Sequence, residues 1–153
     1  TLIRAFNLLK NKINAELIII GEGNEYKELK KLVSKLNLEN KVHFRKYTLN
    51  PYYCMKNCDL FVLSSKWEGF AIVLVGALVC NIPIVSTNCR HGPNEILENG
   101  KWGKLTTVGN VNELSKNMFD ILSNNKTFGD TDKRAEYFSL KKSVKNHLKL
   151  LGI

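Results

Sequence analysis

Residues 60–83 read LFVLSSKWEGFAIVLVGALVCNIP: an apolar run, a polar turn, a second apolar run and a proline. The first run is short and continuous, as a strand buried on both faces requires, and it reads as a central parallel strand. Ile72, Val73, Val75, Ala77, Leu78 and Val79 form a nearly all-round apolar segment, which predicts a helix packed against that sheet. Glu68, Gly69 and Phe70 make the connection. Gly69 allows close backbone approach to a ligand, and the first amides of the following helix have no intrahelical acceptor. Such a helix start attracts phosphate.

The flanking sequence repeats the same alternation. Leu2, Ile3, Phe6, Leu8 and Leu9 predict an amphipathic helix, followed by a strand at 16–20 and the turn Gly21-Glu22-Gly23. A helix at 24–37 shows the face Tyr26, Leu29, Leu32, Val33 and Leu36, and a strand at 42–44 follows. Further expectations are a helix at 51–57, a strand at 82–86, a turn-rich loop through Gly92-Pro93, a short helix at 94–97, a strand at 104–107, and helices at 111–123 and 139–150. Strands alternating with helices imply an α/β fold with a doubly wound parallel sheet. A length of 153 residues with 44% hydrophobic composition is sufficient for a single domain spanning 1–153. The sequence shows no repeat, no 18-residue apolar run and no signal-peptide pattern, from which a soluble, cytoplasmic chain is expected.

The net charge is +9, with lysines grouped at Lys27, Lys30, Lys31 and Lys35 and again at Lys141, Lys142, Lys145 and Lys149. This surface suits an anionic partner, and peripheral contact with the inner face of an anionic membrane is one expectation. A solvated helix face is the plainer reading of the same lysines. No nucleic-acid motif accompanies them, so no nucleic-acid partner is expected. Cys54 and Cys58 are spaced to share a helix face and Cys89 lies near His91, but there is no Cys-x-x-Cys pair. The cysteines read as small, reduced residues, with no metal site expected. His43 and His147 have no catalytic partner in sequence.

Residues 65–84 follow the pattern Ser-x-x-Glu-Gly-Phe-x-x-Val-x-x-Glu-Ala-x-x-x-Gly-x-Pro-Val at Ser65, Glu68, Gly69, Phe70, Val73, Ala77 and Pro83. That pattern belongs to the nucleotide-sugar domain of retaining GT-B glycosyltransferases (glycosyl transferases group 1, family 4), which this chain resembles. LIIIGEGNEYKEL at 17–29, VHFRKY at 42–47 and CRHGPNEIL at 89–97 resemble other segments of the same domain in the same order. The resemblance covers nearly the whole chain. Departures from it include Gly76 where a second glutamate is usual, Asn81 where glycine is usual, and, in the 42–47 segment, Lys46 where glycine is usual.

The resemblance implies the Rossmann-like C-terminal half of a GT-B fold, lacking its first strand, with that strand's Arg- and Lys-bearing loop, and lacking the N-terminal acceptor domain. It implies a nucleotide-sugar as substrate and no cofactor or metal. Glu68 would be the catalytic residue beside the donor sugar, with Ser65, Gly69 and Phe70 and the amides of Ala71 and Ile72 around the sugar and phosphates. Arg45, Lys46 and Tyr47 would lie near the base, Gly21 and Gly23 along the diphosphate, and Glu95 at the rim. The residue at position 76 would hold the ribose; Gly76 removes a charge-assisted bond of about 1.5–3 kcal/mol, so weakened donor binding is expected. A UDP-hexose or UDP-N-acetylhexosamine donor and a polysaccharide, lipopolysaccharide or lipid-linked glycan acceptor in a bacterial pathway are the expected substrates. Both walls of a GT-B cleft are needed to align reactants and exclude water, so this half alone is expected to be inactive. The alternative is a non-catalytic remnant or interaction domain of the same fold. A sugar epimerase of GT-B fold is disfavoured by the Glu-Gly-Phe segment. The residue-level competitors are ordinary: Glu68 as a capping residue, Glu95 as a helix first-turn acid, and Arg45 and Lys46 as a solvated strand end.

Overall fold

A computed structural model describes residues 1–152; Ile153, the last residue of the expected domain, lies outside the described residues. The chain begins with α1 (Leu2–Asn7), β1 (Leu17–Ile20), α2 (Tyr26–Lys35) and β2 (Val42–Arg45). Next come α3 (Pro51–Lys56), β3 (Phe61–Leu63), α4 (Ile72–Val79) and β4 (Ile84–Thr87). The remainder is α5 (Pro93–Ile96), a 3-10 turn at Glu98–Gly100, β5 (Lys104–Thr106), α6 (Val111–Asn124), α7 (Thr131–Glu136) and α8 (Leu140–Leu150).

Local chemistry explains several boundaries. Asn50 caps α3 by accepting the Tyr53 N–H at 3.3 Å, with Pro51 in the first turn, where its missing N–H is not needed. Asn110 caps α6 in the same way through the Glu113 N–H at 3.1 Å, and the Glu113 carboxylate returns to Asn110 Nδ2 at 3.2 Å.

All strand pairs are parallel, but they form two sheets, β1-β2 and β3-β4-β5. Four-residue β4 is buried throughout and is the central strand, whereas β3 pairs with β4 alone. The expected central strand at 60–65 is therefore a three-residue edge strand, because Ser64 and Ser65 already belong to the turn and its second flank has no partner among the described residues.

Side chains of β4 alternate between two cores, as a sheet covered on both faces requires. Val85 joins Ile3 and Phe6 of α1, Val33 of α2, Val42 of β2, and Leu114, Met118 and Ile121 of α6. Ile84 joins Leu74, Ala77 and Leu78 of α4, Ile96 and Leu97 near α5, and Ala135 of α7. Ile19 of β1 and Val62 of β3 both pack against the first core, so the two sheets share it. This is the doubly wound arrangement, with a discontinuity between β1 and β3.

The helix α7 was not anticipated: TDKRAE has little apolar periodicity, and only Thr131 and Ala135 are buried. Thr131 Oγ1 lies 2.8 Å from the Leu78 carbonyl and 2.9 Å from Asn81 Oδ1, which fastens α7 to the end of α4. By contrast α8 buries no residue; Leu140, Val144, Leu148 and its lysines are exposed. Among the described residues no helix is long and apolar enough to cross a membrane.

Candidate functional site

Most of the residues singled out in the sequence lie at the carboxyl ends of the strands, where the connections leave the sheets, whereas Gly76 lies inside α4 and Glu95 on α5. After β3 the chain turns through Ser64–Phe70 into α4. Ser65 Oγ donates to Oε1 of Glu68 at 2.6 Å, which fixes a half-buried carboxylate beside the helix start. The carbonyl of Ser65 is held in turn by Thr87 Oγ1 from the end of β4, at 2.7 Å. Thus the edge strand's turn is pinned to the buried central strand.

Gly69 and Phe70 are exposed, and Ala71 is the N-cap in a left-handed conformation at φ 58°. The helical run starts at Ile72, so the Ala71 amide lies one position outside the helix rather than within its first turn. Ile72 is 68% exposed. The β4–α5 loop meets this turn from the other side: Gly92, at φ +87°, sits so close that a Cβ would collide with the Phe70 carbonyl. Cys89 of the same loop is buried, and its thiol pKa is raised by burial and then by the negative charge of nearby Glu68. A neutral thiol beside the carboxylate follows.

Phe70 also makes an edge-to-face contact with Phe138, ring centroids 5.6 Å apart. The Arg134 guanidinium stacks over Phe138 at 4.7 Å, while its Nε donates to the Ile96 carbonyl at 2.9 Å and its Nη2 to the Glu95 carbonyl. Glu95 itself is exposed on α5.

A second group forms at the β1-β2 sheet. The Gly21 N–H donates to the Arg45 carbonyl at 3.0 Å, continuing the ladder into the glycine turn, and Gly23, Arg45, Lys46 and Tyr47 are exposed. No hydrogen bond joins this group to the Glu68 turn among the described residues. Gly76 is buried within α4 beneath Tyr52 of α3. Cys58 Sγ donates to the Cys54 carbonyl at 3.1 Å, and no group of three or more His, Cys, Asp or Glu side chains is placed to hold a metal among the described residues.

Sequence reasoning missed Thr87, Gly92, Arg134, Phe138 and Tyr52. Thr87 carried a faint signal as a polar residue ending an apolar strand, and Gly92 as a glycine before a proline. The other three act through contacts between distant segments and carry no local pattern.

Parallel strands clothed by helices on both faces, with a pinned carboxylate and an exposed helix start at their carboxyl ends, define a Rossmann-like α/β domain. The profile of the family "Glycosyl transferases group 1" matches residues 1–151, and the chain belongs to that family. It is 36% identical over 125 residues, 82% of this chain and 34% of the relative, to a Campylobacter jejuni enzyme. That enzyme is N-acetylgalactosamine-N,N'-diacetylbacillosaminyl-diphospho-undecaprenol 4-alpha-N-acetylgalactosaminyltransferase. An uncharacterised glycosyltransferase of Methanocaldococcus jannaschii is 43% identical over 97 residues, 63% of this chain and 24% of its own. Among solved structures, Anabaena HepE in complex with UDP superposes with a TM-score of 0.86 at 25% identity, covering 100% of this chain and 45% of HepE. HepE and the other structural neighbours are GT-B glycosyltransferases. The chain thus spans less than half of each of these relatives, from 24% to 45% of their length.

Proposed function

We propose that this chain is the donor-binding half of a retaining GT-B glycosyltransferase that takes a UDP-hexose or UDP-N-acetylhexosamine. The observation that carries the reading is the Ser65–Glu68 hydrogen bond, which holds a carboxylate at the start of α4, where the first amides of the helix lack an intrahelical acceptor and no side chain caps them. In the transfer, the bond between sugar C1 and the diphosphate oxygen breaks, the acceptor oxygen bonds to C1, and the acceptor proton leaves with UDP. Glu68 faces the sugar in this scheme. Gly69, Phe70 and the amides of Ala71 and Ile72 face the leaving diphosphate, where preorganised donors stabilise developing charge.

The flanks of β1 and β3 that are unpaired among the described residues support a strand preceding α1 as part of the same design. The chain's span of less than half of each relative supports a separate acceptor-binding half as the opposing wall of the cleft. The acceptor is a polysaccharide or lipid-linked glycan, met at the cytoplasmic face of a membrane, and this half alone does not turn over. The relatives support the substrate class: one is named for a diphospho-undecaprenol acceptor and another is solved with UDP.

A second reading, a non-catalytic domain of the same fold, is favoured by Gly76, which leaves α4 without a carboxylate. Calorimetric titration with UDP and UDP-glucose separates the two. Saturable binding at millimolar concentration or tighter supports a working donor site, and a flat titration overturns it.

A further inference from the structure

The helix α4 reads IVLVGALV, so none of its side chains can exchange a hydrogen bond with a ribose hydroxyl. Its one position without a side chain is filled from elsewhere. A Cβ on Gly76 would stand 2.8 Å from Cε1 of Tyr52 and 3.8 Å from Sδ of Met55. Tyr52 is carried there by α3, whose start is set by the Asn50 cap and Pro51, and its carbonyl receives the Cys80 thiol at 3.8 Å. Gly76 is buried under the ring, yet Tyr52 itself remains 49% exposed, and Ile72, one turn nearer the Glu68 turn, is exposed as well. The outer face of α4 is an apolar shelf with one phenol ring laid across it.

Building on the donor-site reading above, we infer that Tyr52 is a nucleoside-contacting residue of this protein, and that it packs its ring on a nucleoside diphosphate without reading the ribose hydroxyls. A site built to hydrogen-bond a substrate hydroxyl rejects the analogue lacking it, because the site's own polar group is left unpaired. The shelf carries no carboxylate or amide to orphan, and the Tyr52 hydroxyl, on a residue 49% exposed, keeps water as a partner when a ribose hydroxyl is missing. An aromatic face stacks on a base whatever the hydroxyls of the attached sugar, because every base presents a π-face.

The test titrates UDP and 2′-deoxy-UDP by calorimetry into the protein and its Tyr52→Ala and Tyr52→Phe variants. Expected are affinities for the two nucleotides within about threefold of each other, a loss of roughly tenfold or more for both in Tyr52→Ala, and retention in Tyr52→Phe. A penalty above about tenfold for the deoxy nucleotide, or a Tyr52→Ala variant that binds like the unaltered protein, overturns the inference while leaving the donor site standing. Absence of any UDP binding overturns both. Should Tyr52→Ala fail to fold, Tyr52→Leu, which keeps an apolar side chain over Gly76 but no ring, takes its place with the same expected loss, and unaltered binding in it overturns the inference.

Discussion

The Ser65 hydroxyl donates to Glu68 across 2.6 Å, and the two residues bracket the turn that opens α4. A hydrogen bond to a charged acceptor contributes about 1.5–3 kcal/mol when partly shielded from water. Its removal in Ser65→Ala frees the carboxylate to swing into solvent. We expect UDP-sugar affinity to fall about tenfold with the melting temperature little changed. A large drop in melting temperature with affinity intact would make the pair a structural cap instead.

The contact between Tyr52 and Gly76 reverses the usual effect of filling a helix glycine. Alanine in a helix interior is favoured over glycine by about 0.5–1 kcal/mol, but here its Cβ would press on the tyrosine ring. Gly76→Ala is therefore expected to be neutral or destabilising in the unaltered protein and stabilising in a Tyr52→Ala background. Urea unfolding of the double-mutant cycle measures this, and additive effects would show that the ring yields freely.

Gly92 presents the opposite case, since the colliding atoms are backbone. Gly92→Ala must both hold φ near +87° and push away the Phe70 carbonyl. Destabilisation beyond about 1 kcal/mol is expected, because an incompatible backbone conformation costs more than glycine's entropy returns. Nucleotide binding should weaken as well, through displacement of the Glu68 turn.

Alternate amides of β1 differ in their surroundings. Leu17 and Gly21 donate to the carbonyls of Lys41 and Arg45, so the period of a strand directs the Ile18 and Ile20 amides to the other flank. On β3 the Phe61 amide donates to Pro83, which leaves Val62 facing outward likewise. Hydrogen exchange is expected to be fast at Ile18, Ile20 and Val62 and slow at Ile19 and Phe61. Equal protection at all five would mean that another strand occupies the gap.

Acid should loosen the packing of α6. The Lys104 ammonium beside Asp120, at 2.7 Å, lowers the carboxyl pKa below its ordinary value of 3.8. A carboxyl with a depressed folded pKa contributes stability that is present above its unfolded pKa and lost as pH falls through the folded one. The difference in melting temperature between the unaltered protein and Lys104→Met should shrink as pH drops below 3.8. A constant difference down to strong acid would assign the lysine's effect to packing of its stem.

The order of elements was legible because strand and helix periods alternate clearly from Leu17 to Asn124, and the Ser65–Glu68–Gly69–Phe70 turn announced itself by its residues. The strand rank was not. The apolar run LFVLSS reads as central by composition, and its two faces are covered, one by α4 and one by the α1–α6 core, while among the described residues β3 pairs with β4 alone. Helix α7 stayed hidden because a six-residue helix held by one threonine and one alanine has no face to display. At the site, Tyr52 was invisible for a different reason: the absence of a side chain at Gly76 says nothing locally about which ring will lie across it.

The edge-to-face pair Phe70–Phe138 joins the turn beside Glu68 to the segment leading into α8. Coupling between two sites is reciprocal in free energy. A ligand that displaces Phe70 has to move it against Phe138, two residues before Leu140 opens α8. If binding at the turn shifts α8 through that pair, occupation of α8 shifts affinity at the turn by the same factor.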